Sequence, residues 1–507
     1  MIFNKPLFFD GQLQTLGIMK QFYFLLLLLI PFIISAQVQI GSDIDGEAGG
    51  DNFGNSISLS ADGNTVAIGA FTNDGNGGNS GHVRVYQNMA GTWTQVGIDI
   101  DGESGSDQSG FSVDISGDAS TVAIGAPFND GGGFNSGHTR VYENMAGTWT
   151  QIGVDIDAEA GTDAAGYSVS LSSDGGRVAI GAPFNNGAAG SNTGHVRVYE
   201  NIAGTWTQVG SDIDGEAIND KSGFSLDLSA DGSIVAIGAI DNAGSGAGTG
   251  HVRVYENMAG TWMQIGADID GLVGDNSFGT SVSLSSDGTI FASGMPFTDG
   301  TAANTGVVRV YQNIAGTWTQ LGADISGELA EDESGHKHAI SLSSDGSIIA
   351  IGARFNDGNG GASGHTRIYQ NISGTWTQVG SDIDGEAPGY QSGYSVSLSS
   401  DGTEVAIGAA SGGQARVYDL SGVLSIDDFS LNKVSVYPNP IDSHLIIRSN
   451  ESIDNISIYN ILGKKIRDYN IEGDQLVRIN MSEYPSGYYL AKVTTANASK
   501  TFKLIKN

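Results

Sequence analysis

The sequence predicts an all-β protein built from repeated four-stranded units, and three observations predict it. One phrase recurs: residues 81–97 read GHVRVYQNMAGTWTQVG, 137–153 read GHTRVYENMAGTWTQIG and 194–210 read GHVRVYENIAGTWTQVG. The six tryptophans, Trp93, Trp149, Trp206, Trp262, Trp318 and Trp376, all occupy one place in that phrase, 56 to 58 residues apart. Each period divides into short apolar runs separated by turns, in a chain with 76 glycines among 507 residues. Four-strand periods of this length mean propeller blades or a solenoid.

The chain opens on a segment apart from the repeat. Lys20 precedes an apolar run from Phe22 to Ile34, followed by Ser35-Ala36. This is the charge, length and small-residue exit of a signal peptide, and the run is short for a membrane span. Residues 1–36 are therefore expected to be a signal peptide, with translation starting at Met19 and no transmembrane segment in the mature chain.

Within a unit, FSVDIS (111–116) alternates as a half-buried strand does. An SDG or ADG turn follows in most units, a tight-hairpin signal. TVAIGA (121–126) is small and apolar on both faces, so it is expected to be buried between neighbours. A Gly/Asn-rich loop leads to HTRVYEN (138–144), and MAG turns the chain into TWTQIG (148–153).

The arginine of the third strand recurs seven times, at Arg84, Arg140, Arg197, Arg253, Arg309, Arg367 and Arg416, and so does a DI phrase, from Asp43 to Asp382. The seventh unit stops at ARVYDL (415–420) without its TWTQVG, while the mature chain begins QVQIGSDIDGE at Gln37. The N-terminus thus offers the strand that the last unit lacks. A ring gains from such complementary ends because they remove an open edge, whereas a solenoid does not. The expected fold is a seven-bladed β-propeller over 37–421, closed by an N-terminal strand.

FGNS (53–56), FGTS (278–281) and VAIGAP (122–127, 178–183) resemble the FG-GAP repeats of integrin-α-type propellers. The resemblance spans 37–420 and implies the propeller fold. Gly69-Ala70-Phe71, Gly238-Ala239-Ile240 and Gly352-Ala353-Arg354 depart from the motif. Integrins carry a DxDxDG calcium site in the loop between the FG and GAP strands. That loop is only SADG or SSDG here, so the integrin site does not carry over.

The last 75 residues change character: glycine thins and lysine rises. Alternating apolar runs bounded by Gly and Pro turns predict a small Ig-like β-sandwich. Tyr437-Pro-Asn-Pro440, Gly463-Lys464, Pro485-Ser-Gly-Tyr488 and the basic tail resemble the type A C-terminal sorting domain of the type IX secretion system. The resemblance covers 433–507, with a linker at 422–432. It implies export across the outer membrane by the type IX machinery, and a mature protein that is secreted or held at the outer cell surface.

Formal net charge is −33, yet residues 422–507 hold ten Lys/Arg against nine Asp/Glu, so the acidity lies in the repeats. Such a field repels phosphate backbones, which excludes nucleic acid as a partner, and favours cations. Absence of cysteine excludes disulfides and thiolate chemistry.

The oxygen-rich loop between units is the candidate cation site. DIDGEAGGD places Asp43, Asp45, Glu47 and Asp51 at positions 1, 3, 5 and 9. The pattern recurs as Asp99, Asp101, Glu103, Asp107; as Asp155, Asp157, Glu159, Asp163; and as Asp212, Asp214, Glu216, Asp220. The spacing suits a hard cation, with calcium the expected ion. The alternative role for these carboxylates is capping turns. His82, His138, His195, His251 and His365 each follow a glycine at the same place, which argues for structure rather than catalysis. His336 and His338, in SGHKHAI, break the pattern and would share one face of a strand.

No nucleophile–base–acid set and no phosphate-cradling loop before a helix is visible. No catalytic or cofactor-binding residues are assigned. The expectation is a non-catalytic binding or adhesion module for a glycan or surface protein. The alternatives are a structural surface repeat without a ligand, or a polysaccharide hydrolase or lyase.

Overall fold

A computed structural model describes residues 37–507, apart from residues 275, 425–434, 438–439, 442, 450–451, 461–463, 472–473 and 496–498. The expected signal peptide, its Met19 start and most of the expected linker lie outside the described residues. Residues 421–424 form a short helical turn, Ser421–Leu424, with Val423 buried.

Up to Asp419 the described strands form antiparallel sheets, four or five strands to a sheet, one sheet per repeat. The second unit shows the pattern. Ser112–Ile115 pairs with Thr121–Ala126, which pairs with His138–Asn144, which pairs with Trp149–Gln151. Ile156–Asp157 adds a short strand beside the start of His138–Asn144. Thr121–Ala126 is buried throughout, as its apolar composition requires.

The Asp-containing turn works through its side chain. Asp62 Oδ1 accepts from the Asn64 amide and from Ser60 Oγ, and the Ser60 hydroxyl in turn accepts from the Thr65 amide. The same set forms around Asp118 and Asp231. These Asx contacts fix the hairpin that turns each first strand into the second.

The FG and GA glycines are a matched pair. A Cβ on Gly125 would lie 2.0 Å from the carbonyl oxygen of Gly166 in the next unit, and one on Gly69 would lie 2.1 Å from that of Gly110. Only glycine permits sheets to approach this closely. Gly408, in the last unit, stands in the same relation to Gly54 in the first.

Two series of hydrogen bonds pass from unit to unit. The first is backbone only: Ala61 N to Gly117 O, Gly117 N to Ser173 O, then through Ala230, Ser286 and Ser344 to Ser400, whose amide donates to Ala61 O. In the second, one polar side chain of each first strand accepts an amide from a neighbouring unit. Ser58 accepts from Ile115 N, Asp114 from Leu171 N, Ser170 from Leu228 N and Asp227 from Leu284 N. Ser283, Ser341 and Ser397 accept from Leu342 N, Leu398 N and Leu59 N.

Val38–Gln39 pairs with Gln414–Asp419, in the register Val38↔Asp419 and Gln39↔Tyr418. Gln39 faces Tyr418 as Gln95 faces Tyr86 in the first unit. The N-terminal strand therefore takes the place in the last sheet that TWTQ takes elsewhere. Each tryptophan reaches the preceding unit: Trp149 Nε1 donates to Val96 O at 2.9 Å, and Trp93 Nε1 donates to Ile40 O at 2.8 Å.

The C-terminal residues form two further sheets. Ser435–Tyr437, His444–Arg448 and Leu476–Asn480 make one, and Ile453–Asn460 lies within a four-stranded other. Leu445, Ile447, Ile456, Ile458, Val493 and Leu504 form part of one buried apolar cluster.

Candidate functional site

The inter-unit loop is stretched across two sheets, and this divides its carboxylates. Asp101 closes the short strand paired with His82, so the first half of the loop belongs to the unit just completed. The second half reaches the next unit, where Glu103 lies 3.8 Å from Arg140 and 4.0 Å from His138.

Each position therefore has its own surroundings. At position 1, Asp43, Asp99, Asp155 and Asp212 accept from the glutamine four residues earlier. At position 3, Asp45, Asp101, Asp157 and Asp214 end short strands opposite Gln414, His82, His138 and His195. At position 5, Glu47, Glu103, Glu159 and Glu216 turn towards Arg84, Arg140, Arg197 and Arg253.

At position 9, Asp51, Asp107, Asp163 and Asp220 are buried. They accept from Asn73, Asn129, Asn185 and Asn242 at 2.8–3.0 Å. Asp107, Asp163 and Asp220 also accept amides of their own loop, from Ser104, Ala160 and Ala217. These last carboxylates are turn caps that also brace the Asn/Gly-rich loop.

The acidic groups that do converge come from different loops. Glu47, His82 and Asp99 each offer a ligand atom within 4.8 Å of the others, as do Glu103, His138 and Asp155. Glu159–His195–Asp212, Glu216–His251–Asp268 and Glu328–His365–Asp382 repeat the arrangement. Among the described residues, no loop gathers its own four carboxylates in this way. In each cluster the histidine is almost fully buried. Burial drives His138 and His251 down to about 4, with the neighbouring Arg140 and Arg253 adding to the effect, so both rings are neutral at pH 7. Burial, together with the charge of Asp155, pushes Glu103 up.

The arginines take two positions. Arg84, Arg309 and Arg367 hold Asp99, Asp324 and Asp382 through Nε and an Nη. Arg84 and Arg367 also contact Glu47 and Glu328. Arg140, Arg197 and Arg253 instead donate to the carbonyls of Asp101, Asp157 and Asp214, with the guanidinium near the ring of Tyr142, Tyr199 or Tyr255.

A second feature breaks the repeat. A cavity of about 160 Å³ is lined by Ser58, Asp114, Ser170, Asp227, Lys337 and His338, among others. Burial, with the charge of Asp114 adding to it, pushes Asp227 up to about 7. Lys337 lies 3.4 Å from the ring centroid of Tyr167 and 4.3 Å from that of Phe111, and burial holds its ammonium well below the usual range. The strand expected over His336 and His338 begins only at Ile340, and His338 adopts φ 63°. Both residues are half-buried, and neither joins a metal-type cluster among the described residues. Sequence reading missed Lys337; its signal was a basic residue where other units carry an alternating strand.

Residues 435–507 match the secretion system C-terminal sorting domain, and residues 42–86 match the FG-GAP repeat. The C-terminal unit is thus a type IX sorting domain, which directs the chain to secretion and the outer cell surface. The FG-GAP match supports a β-propeller over the repeats. An ulvan lyase of Nonlabens ulvanivorans is 36% identical over 90 residues, 17% of this chain and 17% of that enzyme. No helix among the described residues is long and apolar enough to cross a membrane.

Proposed function

We propose that residues 37–421 form a seven-bladed β-propeller closed by the N-terminal strand. A linker at 422–432 joins it to the sorting domain, and the propeller serves as a non-catalytic binding or adhesion module at the outer cell surface. The hydrogen-bond series that runs from Ala61 to Ser400 and back supports the closed ring.

The carrying observation for binding is the equivalence of the units. The Asp–Asn brace holds the surface loop in the same way at Asp51–Asn73, Asp107–Asn129, Asp163–Asn185 and Asp220–Asn242. Several copies of one rigid loop suit a ligand that is itself repetitive, because weak contacts made together multiply in effect. A polysaccharide is the ligand class that fits. The test is retention of the secreted protein on a panel of surface and matrix polysaccharides. Saturable binding to a polymer, lost on its short oligomers, is the expected result. Absence of retention on every polymer would leave a structural repeat.

The name of the partial relative favours a second reading, a polysaccharide lyase. Incubation with ulvan and related uronate polymers decides it, since a lyase releases unsaturated ends that absorb in the ultraviolet. A binding module gives no such release.

A further inference from the structure

We propose that three clusters, Glu103–His138–Asp155, Glu159–His195–Asp212 and Glu216–His251–Asp268, bind a divalent transition metal such as Zn²⁺, each ion joining two adjacent units. The carboxylate of the glutamate arrives from the loop before a unit, and the histidine and aspartate belong to the unit itself. An ion at this place would hold neighbouring sheets together where no covalent link exists.

The geometry carries the assignment. His138 Nδ1 lies 3.7 Å from Asp155 Oδ2 and 4.0 Å from Glu103 Oε2. His251 Nδ1 lies 3.9 Å from Glu216 Oε2, and His195 Nδ1 lies 3.8 Å from Asp212 Oδ2. Donors around one Zn²⁺, each at about 2.0–2.2 Å from the ion, stand a few tenths of an ångström closer than these histidine–carboxylate pairs, and the remaining donor atoms of each cluster lie within 4.8 Å.

The histidines supply the second, independent observation. His138 and His251 are 1% exposed, and Nδ1 of each faces its carboxylates without a hydrogen-bond partner; at His195 the unpartnered nitrogen is Nε2, and that site is assigned by its equivalence to the other two. A buried ring nitrogen left in that state is unfavourable. A metal ion satisfies it and the two carboxylates at once. One imidazole and two carboxylates suit Zn²⁺, Co²⁺ or Ni²⁺ rather than Ca²⁺. Glu103, Glu159 and Glu216 keep about half their side-chain surface exposed, which leaves a path of entry.

The arginines explain why three clusters are chosen and not five. At Glu47–His82–Asp99 and Glu328–His365–Asp382, a guanidinium bonds to both carboxylates and fills the cation's place. In the three proposed sites the equivalent arginine donates to a backbone carbonyl and does not hold the aspartate, while its other Nη stays 3.5–3.9 Å from the glutamate.

The test is calorimetric titration of chelator-stripped full-length protein with Zn²⁺. About three equivalents are expected, with affinity at least about tenfold above that for Ca²⁺. Co²⁺ in place of Zn²⁺ should give visible d–d absorption. The triple variant H138Q/H195Q/H251Q should lose uptake, and H82Q/H365Q should keep it. Should the histidine variant fail to fold, E103Q/E159Q/E216Q decides, since those carboxylates sit at the surface. No Zn²⁺ uptake, uptake undiminished by the glutamate changes, or displacement by equimolar Ca²⁺ would overturn the proposal.

Discussion

Lys337 Nζ donates to the main-chain carbonyl of Tyr167 at 2.9 Å, joining residues 170 positions apart. Its ammonium also packs against the rings of Phe111, Tyr167 and Phe224, from three different units. One side chain of the sixth unit thus touches three others. Lys337→Ala removes that contact and leaves a void. A loss of about 2–4 kcal/mol is expected by urea unfolding. Lys337→Met fills the same space without a buried charge and should stay within about 1.5 kcal/mol of the parent. Equal losses in both would show that the charge, not the packing, holds the units.

Asp227 gives a pH dependence of definite sign. Its native carboxyl titrates at about 7, well above its ordinary value of 3.8. The native state therefore keeps a proton that the unfolded chain releases at low pH. The contribution is fully present below about pH 4 and is lost as pH rises through about 7, at up to about 1.4 kcal/mol per pH unit. Asp227→Ser copies Ser170 and Ser283, which hold the same hydrogen bond in other units. The variant should flatten the stability profile between pH 4 and 7 and melt higher than the parent at pH 8.

The position-9 carboxylates separate turn capping from calcium binding. Asp107 Oδ2 accepts from Ser104 N and from buried Asn129 Nδ2. Asp107→Ala strands that amide and should destabilise by about 1–3 kcal/mol. As a cap, it should lose the same amount with and without millimolar Ca²⁺. A loss seen only with Ca²⁺, together with a calcium-dependent melt of the parent, would restore calcium to the loop.

Removal of residues 37–41 from a chain that begins at Gln37 should lower its melting temperature by several degrees, because it uncovers the edge of Gln414–Asp419. A synthetic QVQIGSDID peptide should restore part of the loss. An unchanged melt would mean that the N-terminal strand adds nothing to the last sheet.

Stability remains to be gained at the outer hairpins. Ala146 sits at φ 55° and Gly147 at φ 88°, between Met145 and Thr148, which exchange both backbone hydrogen bonds. Such a two-residue turn favours Asn-Gly. Ala146→Asn should stabilise by about 0.5–1 kcal/mol, and the same change at Ala90, Ala203, Ala259 and Ala315, each with φ near 53°, should add to it. Thermal melts of the single and combined variants measure this.

The repeat, its strand order and the N-terminal strand that joins the last sheet were legible because period and turn chemistry are local signals. The metal-type clusters were not. The spacing within DIDGEAGGD implied one cage per loop, but the chain draws the loop across two sheets. Glu103 therefore meets His138 and Asp155, residues of the following unit, and no spacing within the loop encodes that. Lys337 was hidden for a related reason: the rings that surround it come from three units, and its neighbours implied a strand where the backbone turns.

The pairing of Val38 with Asp419 makes the starting point of the chain arbitrary. The two ends of the repeat region lie in one sheet, so a short linker could join them while the chain is cut elsewhere. A circular permutant opened in the exposed turn between Ala146 and Gly147 would keep every inter-unit hydrogen bond described above. Its new ends would carry any fused domain to the equivalent turn of the second unit, although the order of residues around it would not change.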